Sequence, residues 1–159
     1  MSTRTTLLHR LRGVGLALAI ALTPGCAPKP PAIVPVEGTV FLDGQPLPMA
    51  HVEFVPDLKH FGAEYNSSAV TDEKGHFVLV CAFGQQPGAA VAIHKVMVTE
   101  HTPDDMRGMS GQAQAKLADY QSKLKNRPIP DDYGNFSKTP LSVDVRATGT
   151  YDLKLMRKP

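Results

Sequence analysis

The sequence lacks the features that would assign it directly to a membrane-spanning or a common enzymatic class. The apolar run Val14 to Thr23 has ten residues, whereas a helix needs about 20 to cross the hydrocarbon core of a bilayer. The G-x-S-x-G, H-E-x-x-H, C-x-x-C and glycine-rich phosphate-binding motifs are also missing from the sequence. The N-terminal segment and the strand pattern therefore carry most of the functional information.

The beginning of the chain has the composition of a secretory signal. Residues 1–13 contain three arginines and no acidic residue, and the apolar run Val14 to Thr23 follows directly. A basic segment followed by a short apolar segment is typical of signal peptides that are removed after export. We therefore expect this protein to be exported.

The end of this segment, LTPGC at Leu22 to Cys26, resembles the lipobox of bacterial lipoproteins. The resemblance implies a lipoprotein signal peptide over residues 1–25 and a new N-terminus at Cys26, which carries fatty acyl chains such as palmitate. Thr23 stands where the family usually has leucine, and Pro24 is a second departure. The alternative is cleavage nearby by an ordinary signal peptidase, which would leave Cys26 as a free thiol or a disulfide partner.

The charge balance depends on this cleavage. Removal of 25 residues leaves 134, with 14 basic and 15 acidic side chains, whereas the full chain has a formal charge of +2. A length of 134 residues fits one domain with a substantial core. The near-neutral mature chain removes the compositional support for nucleic-acid binding, which needs a basic surface.

A short tether precedes the folded part. Four prolines fall within Ala27 to Pro35, and proline-rich segments favour extended geometry without helix or sheet pairing. We assign residues 26–35 to this tether and residues 36–159 to the folded domain.

The domain is predicted to be all-β. Short runs with alternating apolar and polar residues are bounded by turn residues such as Asp43 and Gly44, which is typical of antiparallel strands. Seven such strands with one apolar face each imply two packed sheets, a β-sandwich. The predicted strands are Val36 to Leu42, Ala50 to Val55, Ser67 to Thr71, His76 to Ala82, Val91 to Glu100, Leu141 to Arg146 and Thr150 to Met156.

One insertion interrupts this pattern at residues 102–127. Apolar residues recur at helical spacing at Ala113, Leu117, Tyr120 and Leu124, which predicts an amphipathic helix over Gly111 to Lys125. Its narrow apolar stripe suits packing either on its own domain or on a partner. The last two strands, beyond the insertion, are predicted to form a C-terminal hairpin.

Six motifs, in order, resemble the transthyretin-like, carboxypeptidase-regulatory-like β-sandwich modules of small bacterial lipoproteins. They are VEGTVFLDGQPLP at Val36 to Pro48, VEFVP at Val52 to Pro56, TDEKGHF at Thr71 to Phe77, HKVMV at His94 to Val98, IPDDY at Ile129 to Tyr133 and TPLSVDV at Thr139 to Val145. The resemblance implies a seven-stranded antiparallel sandwich in which these residues are architectural. Ala92 and Ile93 depart from the glycine and the lysine or tyrosine that relatives commonly carry before the position of His94.

The candidate functional side chains are scattered. Zinc sites usually draw three or four ligands with close paired spacing, and calcium sites need a shaped loop of oxygen ligands; neither pattern is present. We expect surface or packing roles for the histidines, solvated or helix-start roles for the acidic pairs, and a buried, inert Cys81 whose strand faces inward with Phe77 and Leu79. The histidines are His51, His60, His76, His94 and His101, and the acidic pairs are Asp104 with Asp105 and Asp131 with Asp132.

Together these features predict a non-catalytic, lipid-anchored binding or structural module of the cell envelope, without a cofactor. The hydrolase branch of the transthyretin fold ends in Y-R-G-S, whereas this chain ends in LKLMRKP, which excludes that branch. The expected partners are the membrane, through Cys26, and an envelope protein or glycan. By resemblance to the usual sorting rule, the outer membrane is favoured, because no aspartate follows Cys26. The alternative is an accessory subunit of a larger envelope transport, secretion or hydrolase assembly.

Overall fold

The computed structural model describes residues 28–157, apart from residue 109 and the side chain of residue 105. The described chain is mostly β with one α-helix, α1 (Gly111–Lys123). Short 3-10 turns occur at Ala63–Tyr65, Phe83–Gln85, Asp104–Met106 and Asp131–Gly134. The strands are β1 (Ile33–Val34), β2 (Val36–Leu42), β3 (Gln45–Pro46), β4 (Ala50–Pro56), β5 (Ser67–Val70), β6 (His76–Val78), β7 (Val80–Cys81), β8 (Gln86–Pro87), β9 (Ala89–Ala90), β10 (Ala92–Glu100), β11 (Ser142–Val145), β12 (Gly149–Thr150) and β13 (Leu153–Leu155).

The largest sheet has six strands in the order β11-β10-β4-β5-β7-β8, and all its neighbours are antiparallel. Its centre is the pair β4 and β10, which is in register from Ala50 opposite Glu100 to Pro56 opposite His94. Alternate residues of both strands are fully buried, as the sequence pattern predicts. Because β4 has seven residues, the two ends of this ladder lie about 20 Å apart.

The second sheet is built around β2, which pairs with four other strands. Strands β3 and β6 are antiparallel to β2, whereas β12 and β13 are parallel to it. The predicted C-terminal hairpin is therefore wrong, and so is a purely antiparallel arrangement. After β11, which pairs with β10, the chain crosses to the other sheet. The alternation of apolar residues is the same in either arrangement, so the pattern could not identify the pairing partner.

The strand predicted over His76 to Ala82 is divided between the two sheets. Its first part, β6, pairs with β2, and its second part, β7, pairs with β5. The change of sheet falls at Leu79, which is fully buried; strands that switch sheets make the corners of such two-sheet folds. The predicted inward face is nevertheless confirmed, because Phe77, Leu79 and Cys81 are all buried.

Inward residues of both sheets meet in one hydrophobic core. The mostly β fold with one helix is thus confirmed, and the described strands form sheets of six and five strands and the small pair β1-β9. The seven predicted strands become thirteen segments, because two of them are each divided in two and the turns and loops contain further short paired pieces. Strand β1 pairs with β9, so strand pairing extends into the segment assigned to the tether. A smaller apolar cluster, with Tyr65, Cys81 and Ala90 buried at its centre, contacts Ile33 of β1.

These pairings give the domain two distinct ends. We call the end where β1, the start of β10 and the end of β4 lie the Ile33 end. The opposite end, where β4 begins at Ala50 and β10 finishes at Glu100, leads directly into the helical insertion, and we call it the insertion end.

Two predicted turns have the expected geometry. Asp43 and Gly44 both have positive φ, 52° and 77°, the pattern of the tight hairpin turn that joins β2 to β3. In the turn before β6, the side chain of Asp72 accepts hydrogen bonds from the backbone N–H groups of Lys74 and His76. Both turns therefore set strand register through local chemistry.

The C-terminal segment lies very close to β2 at Gly38. The backbone N–H of Tyr151 donates to Glu37 O, and a Cβ on Gly38 would lie 2.1 Å from Tyr151 O. No side-chain movement can relieve a clash with a backbone oxygen, so only glycine allows this parallel contact.

We therefore expect Gly38→Ala to lower the free energy of unfolding by about 1–3 kcal/mol, the usual cost of overpacking. Urea denaturation of the purified domain measures this change. The matched control is Gly111→Ala at the start of α1, where an added Cβ meets nothing within 4 Å. Equal stability of Gly38→Ala and the wild type would contradict the parallel pairing at this position.

Candidate functional site

A groove of about 560 Å³ opens at the insertion end of the domain. It combines side chains of β4 and β10 with the loop that follows β10 and with one face of α1. His51 and Thr99 lie opposite each other on adjacent strands and form its base. His101, Arg107 and Leu117 are among the residues around them. The groove therefore offers nitrogen donors and a hydroxyl beside an aliphatic wall.

Helix α1 forms one wall and agrees with the prediction, although it ends two residues earlier, at Lys123. The Ser110 hydroxyl caps its first turn by accepting a hydrogen bond from Ala113 N. The predicted stripe of Ala113, Leu117, Tyr120 and Leu124 is half-buried, whereas the rest of the helix is exposed. No helix residue is fully buried, so the stripe covers its own domain only in part.

Arg127 holds the end of the insertion against the sheets. Its Nε donates to Glu100 Oε2 at the end of β10, and its NH2 group donates to Pro48 O and Met49 O just before β4. The Arg127 side chain is only 12 % exposed. Because hydrogen bonds from a charged donor are stronger than neutral ones, this contact fixes where α1 returns to the domain.

The electrostatics of the groove keep His51 neutral. Partial burial lowers the pKa of His51 below its usual value; Glu53 raises it, and the electrostatic interactions with His101 and Arg107 lower it further. A neutral imidazole can both donate and accept a hydrogen bond. At neutral pH the groove therefore presents an uncharged imidazole next to the cationic guanidinium of Arg107.

Tyr120 adds a polar group under the helix. Its hydroxyl is buried and has no hydrogen-bond partner among the described residues. Burial raises the pKa of this phenol, while Arg127 lowers it and Glu100 raises it. The side chain therefore remains a neutral phenol near the Arg127 contact.

The other predicted histidines lie away from the groove. His60 is exposed, and His76 Nε2 lies 3.8 Å from Glu37 Oε2. His94 is fully buried with its ring against Phe54, and its Nε2–H donates to Ala90 O at 2.8 Å. Burial lowers the pKa of His94, and the carbonyls of Ala90 and Phe54 oppose this. In the described part of the chain, no three histidine, cysteine or acidic residues lie together as metal ligands.

The acidic pairs occupy 3-10 turns. Asp131 and Asp132 lie in the first turn of Asp131–Gly134, so their position agrees with the predicted helix start. Asp104 and Asp105 lie in the turn Asp104–Met106, where the exposed carboxylate of Asp104 is 3.2 Å from Arg107 NH1. Asp104 is thus connected to the groove through Arg107.

Cys81 is buried as predicted, with Sγ 3.6 Å from Tyr65 O. The predicted lipidation site, Cys26, lies outside the described residues. Within residues 28–157, no helix is long and apolar enough to span a membrane.

Sequence reasoning missed Glu100 and Arg107, which line the groove, and Arg127, which pairs with Glu100 beside it. The only signal was the position of Arg127 between the helix and Pro128, because its partners before β4 are 78 and 79 residues away. Comparison of the chain with protein-family models, curated proteins and solved structures gives no match. The functional proposal therefore rests on the chemistry of the groove and of the N-terminal segment.

We expect Arg127→Ala to lower the free energy of unfolding by about 1.5–3 kcal/mol, the value of hydrogen bonds to charged groups, and to expose the insertion to proteolysis. Trypsin digestion followed by mass spectrometry measures the second effect. The matched control is Arg146→Ala, because Arg146 also pairs with a carboxylate, that of Asp144, but its side chain is 83 % exposed. Equal proteolysis of both variants would contradict the anchoring role of Arg127.

Proposed function

We propose that this protein is an exported lipoprotein of the cell envelope, anchored through Cys26, whose transthyretin-like β-sandwich binds an envelope protein or glycan without catalysis. The groove at the insertion end is the proposed binding site. The outer membrane is the proposed location.

The observation that carries the proposal is the composition of the groove. Leu117 and Met106 provide apolar contact, whereas His51 and His101 provide ring nitrogens for hydrogen bonds and Arg107 provides positive charge. Binding sites combine an apolar lining with a few placed polar groups, and the groove is open along one side of a half-buried helix. Such a surface suits an extended polymer with both polar and apolar parts, such as a peptide or a glycan strand.

The position of the groove relative to the tether also supports the proposal. The tether joins the domain at the Ile33 end, and the groove lies at the insertion end, about one β4 length or 20 Å away. An anchor at Cys26 would therefore hold the groove away from the membrane, where an envelope partner can reach it.

The distance between the groove and the buried Cys81 and His94 supports a binding role over catalysis. Hydrolytic sites need a nucleophile, a base and an orienting group within hydrogen-bond reach of one another. The buried Cys81 and His94 lie toward the Ile33 end, away from the groove, and both are held by backbone carbonyls.

Photo-crosslinking in cells tests the groove directly. Replacing Leu117 with p-benzoyl-phenylalanine in the lipidated protein is expected to give one adduct of defined mass after irradiation. Arg107→Ala in the same protein is expected to reduce the yield several-fold, because it removes the cation from the groove. Digestion of the adduct with a protease or with a peptidoglycan hydrolase identifies the partner as a protein or a glycan.

The control carries the same photo-crosslinker in place of Val78, which is 52 % exposed on the other sheet. The same adduct from both positions, or none from position 117, would contradict the groove as the binding site. A protein adduct that co-purifies with a membrane assembly would instead favour an accessory subunit.

A further inference from the structure

An aromatic patch lies at the Ile33 end of the domain. The rings of Tyr65 and Phe83 are stacked with their centroids 4.8 Å apart, and Phe61 contacts Tyr65 edge-on at 5.2 Å. Tyr65 is buried, but Phe83 is 45 % exposed. The patch is defined here as Phe61, Tyr65, Phe83 and the exposed Val91.

This patch does not belong to the main core. Tyr65 lies in the smaller apolar cluster with Cys81 and Ala90, and Phe61 and Ile33 pack against it. Phe83 lies outside this cluster on its solvent side, on the 3-10 turn Phe83–Gln85. The main core is already filled by both sheets, so exposed aromatic area at this end is not explained by packing within the domain.

The patch surrounds the point where the N-terminal segment joins the domain. Ile33 pairs with Ala90, and the N–H of Val91 donates to Ala32 O at 2.8 Å. Gly88 has φ of 112°, and a Cβ there would lie 1.8 Å from Val34 O, so β1 is seated closely on the domain. The exit point of the tether is therefore fixed beside Val91 and the aromatic rings.

Chain length restricts how far this end can move from the lipid. Ala32 follows Cys26 by six residues, and an extended chain spans at most about 3.6 Å per residue. The acylated cysteine is thus within about 22 Å of Ala32, the residue that hydrogen-bonds to Val91 of the patch. Three of the residues between them are prolines, which shorten the reach to about 3.1 Å each and stiffen it.

We propose that the aromatic patch rests in the headgroup region of the membrane that holds the anchor. Exposed apolar side chains such as Phe83 and Val91 gain free energy when they enter the boundary between headgroups and acyl chains. The inference rests on the proposed lipidation of Cys26, which brings the patch to the surface. Charge is not the cause of the contact, because the loop before Tyr65 carries Asp57 and Glu64 as well as Lys59.

Single-tryptophan fluorescence tests this orientation, because the chain contains no tryptophan. The lipidated protein is purified from membranes, reconstituted into vesicles of phosphatidylethanolamine and phosphatidylglycerol, and collected by flotation. Phe83→Trp is the probe, and Val91→Trp is a second probe at the same end. Met156→Trp is the control, because Met156 is 70 % exposed and follows β13 at the insertion end.

We expect brominated lipids to quench both probes at the Ile33 end at least twofold more than the control, and to shift their emission to shorter wavelength. Flotation without preferential quenching would overturn the orientation but leave the anchor intact. Failure of the protein to float would overturn the anchor and with it this inference. Equal quenching of Phe83→Trp and Met156→Trp would also contradict the orientation.

Discussion

The antiparallel ladder between β4 and β10 is the contact on which the rest of the domain depends. Seven residue pairs join the two strands, and their inward side chains, among them Phe54 and Val96, lie at the centre of the core. Every further strand of the six-stranded sheet is added to one side of this pair or the other. A ladder of this length also separates the two ends of the domain, so it determines how far the groove is from the tether.

The local pattern predicted which residues face inward, but not which strands pair. The alternation within Thr150 to Met156 puts Leu153 and Leu155 on one face, and both are buried, yet their strand lies parallel to β2 and not in a hairpin with β11. The same limit explains the division of His76 to Ala82 between two sheets. Side-chain alternation reports burial on one face, whereas pairing depends on the crossing of loops and on contacts such as Gly38 with Tyr151, which have no periodic signature.

Only the helical wall of the groove could be predicted from the sequence. The stripe at Ala113, Leu117 and Tyr120 follows from helical spacing, and the turn chemistry of Ser110 follows from capping preference. In contrast, His51, His101 and Arg107 come together because β4 and β10 are paired, and that pairing joins residues some 50 positions apart in the chain. Arg127 then holds the end of the insertion through the Glu100 carboxylate and two backbone carbonyl groups that are distant in the sequence, so no local pattern indicates its role.

In the proposed function, the lipid anchor at Cys26 and the groove lie at opposite ends of the domain. The roles proposed for the tether, the aromatic patch and the groove all require that Cys26 is the acylated N-terminus. Mass spectrometry of the N-terminal peptide of the protein extracted from membranes tests this most directly. The account predicts a peptide that begins at Cys26 and carries a diacylglyceryl group, and a Cys26→Ser protein that does not remain with the membrane. A peptide that begins elsewhere, or an unmodified Cys26, would contradict it.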